Sequence, residues 1–238
     1  MKNIQVSINQ VKCKFYIPQE ETKITEIVII CNGVTTNTYR KTINNIINKL
    51  VQKNYLVVFF DYIHTSKCKL IYKESLCLYK FEEKLELIYS FLKEKYPKYK
   101  FNIFLSSFSA FVTLNSIRDY NLKFNKIILN TPAINMRGIF KKKLAKYSLI
   151  DFYKINPKRL DENKMEQVTD FYNEIIEKDL LKINNTFKNI FVIHDSRDNI
   201  VCLDDSIKFI NKCKNSKLVT NIKSNDELIS NVIGIFND

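Results

Sequence analysis

The sequence predicts a single α/β domain with a mostly parallel sheet over residues 1–238. The main observation is that strand-like and helix-like segments alternate along the chain after about the first twenty residues. A chain of 238 residues of which 45% are hydrophobic can bury one sizeable core and is close to the length of one domain. No internal repeat, low-complexity linker or shift in composition divides it. We therefore expect one sheet with helices on its faces.

In the first half of the chain, each predicted element rests on the spacing of its apolar residues. Alternating polar and apolar side chains open the chain and indicate an antiparallel edge, whereas the runs EIVIIC and YLVVFF indicate buried strands. The longest helix carries its apolar residues on one face and is closed by Pro97. In order, the pattern predicts strands at 4–8, 11–17 and 26–31, a helix through Ile43 and Leu50, a strand at 55–60, a helix at 75–96, a strand at 101–106, a helix at 107–120 and a strand at 126–130.

The second half of the chain begins with a stretch of different character. From 138 to 164 the apolar pattern loosens and lysines accumulate, which predicts a small cap inserted over the sheet. Regular patterns then resume, and they predict a helix at 165–181, a strand at 189–194, a helix at 203–213, a strand at 217–222 and a helix at 226–236.

Composition argues against several classes of partner and cofactor. The formal charge is +13, but only five of the 38 basic residues are arginines, and dispersed lysines are a weak signal for phosphate recognition, so we expect no nucleic-acid partner. The six cysteines form no C-x-x-C pair and only two histidines are present, which argues against a disulfide framework and a zinc site. Three glycines are too few for the glycine-rich phosphate loops of nucleotide-binding proteins. We expect no metal and no cofactor.

The apolar runs bear on localisation. The longest of them, at 27–31 and 55–60, are far shorter than a membrane span, and the first fifteen residues lack the apolar core of a signal peptide. The expectation is a cytoplasmic protein with reduced thiols and no integral membrane contact.

The segment IFLSSFSAF, residues 103–111, joins a predicted strand to a predicted helix. This is the setting of a nucleophile elbow, in which small residues two positions before and after a serine permit a sharp turn. Ser107 has the flanks Leu105 and Ser109, whereas Ser109 has the flanks Ser107 and Phe111. We favour Ser107, because the predicted strand ends directly before it. The alternative is that both serines only cap a core helix.

The chain resembles the α/β-hydrolase family, and within it the acyl-ACP thioesterases (acyltransferases) of bacterial bioluminescence operons. The resemblance runs from about residue 26 to residue 231 and rests on the order and spacing of four pieces. They are IVIICNGVTTNTYRKTINNIINKLVQKNYLVVFFDYIHTS, IFLSSFSAFVTL, LNTPAINMRGIFKKKLAKYSLIDF and VIHDSRDNIV. The thioesterase nucleophile lies in an A-x-S-x-S setting, which Ser107 matches except at Leu105.

The resemblance implies roles for particular residues. It assigns the oxyanion hole to the backbone N–H groups of Phe108 and Val34, which need no particular side chain. It assigns the acid of a catalytic triad to Asp198, with Asp195 as the competing position. It treats His194 as a structural residue at the end of a strand.

The histidine of the triad is missing from its usual place. In the family it follows the last strand, and here Asn225 stands at that position. An amide cannot take the proton of a serine, so the Ser-His-Asp relay cannot run in its standard form. Asn225 also has a structural explanation, because asparagine is a favoured N-cap and a helix is predicted to begin there. His64, in the loop after the strand at 55–60, is either an alternative base or a histidine that lines the pocket without chemistry.

Two hypotheses for function follow. The first is a serine acyl hydrolase of thioesterase or esterase type, acting through Ser107 on a medium or long acyl chain held between cap and sheet. The second is a pseudoenzyme that keeps the pocket as a binding or regulatory module. The expected partner is a small acyl compound or an acyl carrier protein. Five basic residues within 137–146 would attract an acidic carrier, although a solvated lysine surface explains them as well.

Overall fold

The computed structural model describes residues 1–32, 37–62, 77–139, 162–182 and 187–237, and within them the chain forms one eight-stranded sheet. The strand order is β1-β2-β4-β3-β5-β6-β7-β8. Pairing is antiparallel in β1–β2 and β2–β4 and parallel from β4 through β3 to β8. The strands are β1 Lys2–Ile8, β2 Val11–Ile17, β3 Ile27–Asn32, β4 Leu56–Asp61, β5 Phe101–Ser106, β6 Lys126–Asn130, β7 Ile190–His194 and β8 Lys217–Thr220. The predicted α/β class with an antiparallel edge is confirmed.

The helices divide the apolar side chains between two cores, one on each face of the sheet. They are α1 Asn37–Gln52, α2 Leu78–Lys95, α3 Phe108–Asp119, α4 Glu162–Glu177, α5 Leu203–Ile210 and α6 Asn225–Asn237, and a short 3₁₀ turn covers Glu21–Lys23. On one face α1 and α6 pack on the sheet, and α2, α3, α4 and α5 pack on the other. The central strands β3 and β5 are therefore buried along their whole length, which is why they read as continuous apolar runs.

Three predicted elements end earlier in the structure than the apolar pattern suggested. Helix α4 stops at Glu177, and Asp179 then accepts the N–H of Leu181 at 2.9 Å in a local turn. Helix α5 stops at Ile210, where the backbone tightens: the Ile210 carbonyl oxygen accepts the N–H of Cys213 at 3.0 Å and the Ser216 hydroxyl at 3.1 Å. Strand β8 stops at Thr220, since Asn221 has φ 63°, outside the β region. Local side-chain hydrogen bonds and backbone geometry thus ended elements that periodicity extended.

Most of the predicted cap falls on 140–161, which lies outside the described residues. The ends of the predicted range that are described are both helical, with a helical turn at 136–139 and α4 beginning at Glu162. None of the described helices has the length and apolar character needed to cross a lipid bilayer.

Candidate active site

The carboxyl ends of the parallel strands meet at one edge of the sheet, where open α/β sheets place their ligand sites. Ser107 follows β5 at this edge, and Asn130 ends the neighbouring β6. The loop containing Asp195 and Asp198 follows β7, and the loop leading to Asn225 follows β8. The fold therefore places the predicted serine, acid and Asn225 at the same edge of the sheet.

Ser107 has an unusual backbone conformation, with φ 52° and ψ −123°. Among the described residues nine non-glycine positions have positive φ, and six of these are asparagines, which tolerate it well. For a serine such a conformation costs on the order of 1–3 kcal/mol and persists only where the surroundings enforce it. This is the sharp, strained strand-to-helix turn expected of a nucleophile elbow.

Main-chain hydrogen bonds hold this turn. The N–H of Ser107 donates to the carbonyl oxygen of Asn130 at 3.1 Å, and its own carbonyl accepts from Ala110 and Ala133, each at 3.1 Å. Ser107 occupies the N-cap position of α3, but its side chain makes no capping hydrogen bond. A capping role therefore does not account for this side chain.

Ser109 is a different kind of residue, fully buried in the first turn of α3. Its hydroxyl oxygen accepts the N–H of Ser106 at 2.9 Å and lies 2.8 Å from two carbonyl oxygens, those of Cys31 and Ser106. These bonds hold β3, β5 and α3 together and leave Ser109 no freedom to attack a substrate. Leu105, the one departure from the A-x-S-x-S setting, is fully buried in the sheet, and the strained turn forms with it in place.

Of the two predicted oxyanion donors, the structure describes Phe108 but not Val34. Phe108 is the first residue of α3, so its N–H has no carbonyl partner within the helix and is directed out of the helix end. Its ring is anchored in the core between Phe111 and Phe171. Val34 belongs to 33–36 and lies outside the described residues.

The two candidate acids have different partners. Asp195 is bound by Arg197, whose side chain donates to both carboxylate oxygens at 2.9 and 2.7 Å. These bonds, with a backbone bond from Arg197, lower the pKa of Asp195 to about 2. Asp198 instead accepts the N–H groups of Ile200 and Val201 at Oδ1, each at 2.8 Å. Among the described residues its Oδ2 has no hydrogen-bond partner, so Asp198 has one oxygen fully available for a base, whereas both oxygens of Asp195 are engaged by Arg197.

His194 cannot serve as that base in this arrangement. It is 0% exposed, with Nδ1 2.8 Å from the Ser206 hydroxyl and Nε2 3.2 Å from the Val201 carbonyl oxygen. A carbonyl only accepts, so Nε2 carries the proton and Nδ1 accepts from Ser206. Burial lowers the pKa of the ring and keeps it neutral. The other histidine of the chain, His64, lies outside the described residues.

Asn225 is exposed at the first position of α6, and it is not the helix cap. That role belongs to Ser224, whose hydroxyl accepts the N–H of Glu227 at 3.2 Å, while the Glu227 carboxylate accepts the N–H of Lys223 at 2.8 Å. The capping explanation for Asn225 is therefore wrong, and the S-x-x-E spacing of 224–227 was the signal that could have shown it. Asn225 lines a cleft of about 330 Å³ that also contains Tyr39 and Asn130.

Comparison with known proteins identifies the fold of this chain. No protein-family model and no curated protein matches the sequence. Solved structures do match. Est1E from Butyrivibrio proteoclasticus, in a structure with ferulic acid bound, superposes with a TM-score of 0.72 at 15% identity, over 98% of both chains. An esterase from Pyrococcus furiosus gives 0.66 at 16% identity over 99% of this chain and 91% of its own. Mouse α/β-hydrolase domain-containing protein 10 gives 0.63 at 13% identity over 100% of this chain and 99% of its own.

This chain has the α/β-hydrolase fold. In that fold the triad residues follow in the chain order serine, acid, histidine, with the serine at the strand-to-helix elbow. Ser107, Asp198 and Asn225 stand in that order here, after β5, β7 and β8 respectively.

Two features near the carboxyl ends of the strands could not be predicted from the sequence. The side chains of Tyr39, Ser106 and Asn130 are hydrogen-bonded to one another where β5 and β6 end, and no sequence motif indicated this. A second cleft of about 280 Å³ lies beside Asn32, between α1 and strands β2 and β4. Among the described residues no cluster of histidine, cysteine, aspartate and glutamate could hold a metal ion.

Proposed function

We propose that this chain is a serine acyl hydrolase of esterase or thioesterase type, with Ser107 as the nucleophile. The observation that carries the proposal is the strained backbone of Ser107 at the start of α3, together with a side chain that caps nothing. Solved structures of the same fold include proteins described as esterases and a lipase, which supports ester substrates at the level of fold analogy.

The proposed reaction has two steps. The Ser107 hydroxyl attacks the acyl carbon, gives its proton to a base, and the alcohol or thiol leaves with a proton as the acyl-enzyme forms. Water then attacks the acyl-enzyme, releasing the carboxylic acid and restoring the serine. The N–H of Phe108 would donate to the developing oxyanion, and a second donor would come from Val34.

The identity of the base separates the two hypotheses. With His194 buried and bonded at both nitrogens, His64 is the one remaining histidine of the sequence. We propose His64 as the base. The second hypothesis, a pseudoenzyme, rests on Asn225 standing where the resemblance places the triad histidine. Loss of the triad histidine would leave only about 10³- to 10⁴-fold catalysis over water.

The substrate class is proposed from the sequence resemblance. It is a medium or long acyl chain, carried by a small molecule or by an acyl carrier protein. Lys141, Lys142 and Lys143, where carrier docking was predicted, lie outside the described residues, so that docking stays a prediction.

A fluorophosphonate probe tests the nucleophile. We expect covalent labelling of the wild-type protein at Ser107, no labelling of Ser107→Ala, and unchanged labelling of Ser90→Ala, a matched change of an exposed helical serine. Absence of wild-type labelling would contradict the proposal that Ser107 is an activated nucleophile.

Hydrolysis of a short p-nitrophenyl ester then tests the base. If His64 acts, His64→Ala should abolish turnover that the wild type shows. If the protein is a pseudoenzyme, the wild type should be inert and Asn225→His should raise activity by orders of magnitude, a gain that Ser107→Ala removes.

A further inference from the structure

Three side chains from different elements meet where β5 and β6 end. Tyr39 lies in the first turn of α1, and its hydroxyl is hydrogen-bonded to the hydroxyl of Ser106, the last residue of β5. The side-chain amide of Asn130, the last residue of β6, donates to the Tyr39 oxygen at 2.9 Å and lies 3.5 Å from the Ser106 hydroxyl. The Tyr39 hydroxyl therefore joins α1 to the ends of two strands.

The two hydrogen-bond partners of Tyr39, Ser106 and Asn130, are also bonded to Ser107. Ser106 precedes it directly, and the Asn130 carbonyl oxygen accepts the Ser107 N–H at 3.1 Å. Ser109 already fixes the main chain of Ser106 through its N–H and carbonyl groups. Ser106 and Asn130 are already opposite each other in the β5–β6 pairing, and Tyr39 adds a side-chain bridge that attaches both of them to α1.

The hydroxyl of Tyr39 is suited to a fixed hydrogen bond and unsuited to proton transfer. Burial raises the pKa of Tyr39 to about 12, so the group stays protonated at neutral pH. Because the Asn130 amide only donates, the tyrosine oxygen accepts from it, and the tyrosine proton is available for Ser106. A strained residue needs such surroundings to keep it from relaxing.

We propose that Tyr39 is a positioning residue for Ser107, whose hydroxyl bridge between Ser106 and Asn130 keeps the serine in its strained conformation. The catalytic part of this inference rests on the proposed function, since it takes Ser107 to be the nucleophile. The conformational part does not depend on it.

Tyr39→Phe removes only the hydroxyl, and Tyr55→Phe is its matched control. The Tyr55 hydroxyl donates to the carbonyl oxygen of Phe236 at 2.8 Å, and Tyr55 precedes β4 at the opposite edge of the sheet. We expect the rate of fluorophosphonate labelling in Tyr39→Phe to fall about 10- to 100-fold, as a small misplacement of a reacting group can do. With an ester substrate kcat should fall while KM stays unchanged. Tyr55→Phe should label at the wild-type rate, and equal rates in all three proteins would overturn the catalytic part.

A thermal-stability cycle tests the conformational part without any activity. Ser107→Gly should raise Tm in the wild type, because glycine adopts positive φ without strain. In Tyr39→Phe the turn keeps its main-chain hydrogen bonds but loses the side-chain bridge, so the serine can relax further and the same change should give a smaller increase, whereas in Tyr55→Phe the full increase should remain. An equal increase in all three backgrounds would overturn the inference. If the wild type is not labelled at Ser107 but the cycle shows coupling, the proposed function fails and the positioning role of Tyr39 stands.

Discussion

Lys178, just after α4, forms an ion cluster with α2 and α3 whose loss we expect to be costly. Its ammonium group lies 2.7 and 2.8 Å from the two oxygens of Glu82 and 2.9 Å from Asp119. The Glu82 side chain is only 3% exposed, and burial raises its pKa even with Lys178 beside it. The cluster ties the residue that follows α4 to α2 through Glu82 and to α3 through Asp119.

Lys178→Met would leave the Glu82 carboxylate buried without its cation. Breaking a buried pair in this way costs about 3 to 5 kcal/mol, and we expect the lower end, because the Lys178 side chain is 30% exposed and water can reach the site. For a domain of this size about 3 kcal/mol corresponds to a fall in Tm of about 6 to 12 °C.

The strongest test of this prediction is how the stability lost in Lys178→Met depends on pH. A carboxyl group whose pKa is raised by folding holds its proton more tightly in the folded state, so stability falls as pH rises from the unfolded pKa towards the folded one. Removing Lys178 raises the folded pKa of Glu82 further. The loss measured by urea unfolding should therefore be largest near neutral pH and should shrink as pH is lowered, because protonation of the carboxyl removes the buried charge.

Two variants control this measurement. Glu82→Gln added to Lys178→Met should recover much of the lost stability, because it removes the buried charge. Lys49→Met, at an exposed position of α1, should change the free energy of unfolding by no more than about 0.5 kcal/mol. A loss in Lys178→Met that is independent of pH, or that Glu82→Gln does not reduce, would refute the reasoning.

Three further predictions concern Ser109, His194 and the predicted carrier-docking lysines. Ser109→Ala should lower the free energy of unfolding by about 1 to 3 kcal/mol, measured by urea unfolding, because the buried N–H of Ser106 loses its acceptor. The wild type should lose stability as pH falls below about 6.5, since burial lowers the pKa of His194 and the unfolded state binds that proton more readily; His194→Gln should show a flatter profile of Tm against pH. Reversing the charges of Lys141, Lys142 and Lys143 should weaken binding of an acidic acyl carrier protein and flatten its salt dependence in a titration, and unchanged affinity would contradict docking there.

Local pattern was enough to predict the order of the elements and the position of the elbow. Continuous apolar runs were enough to predict β3, β4 and β5, because strands that are covered on both faces lack the alternating polar residues of a half-exposed strand. The strand-to-helix junction at Ser107 was also readable, since it depends on a few consecutive residues. The boundaries near 177, 210 and 220 were not, because single hydrogen bonds and one positive φ ended those elements.

Contacts between distant parts of the chain decided the chemistry of the site. Ser109 was distinguished from Ser107 by its bond to Cys31, 78 positions away, and Tyr39 meets Ser106 and Asn130 across 67 and 91 positions. Lys178 and Glu82 are 96 positions apart. Sequence alone determined that only two histidines exist, but the packing of α5 and the loop before it against the end of β7 decided that His194 is bonded at both nitrogens. The tertiary fold determines which groups are hydrogen-bonded to each other, because the sequence specifies the chemistry of each side chain but not which groups surround it.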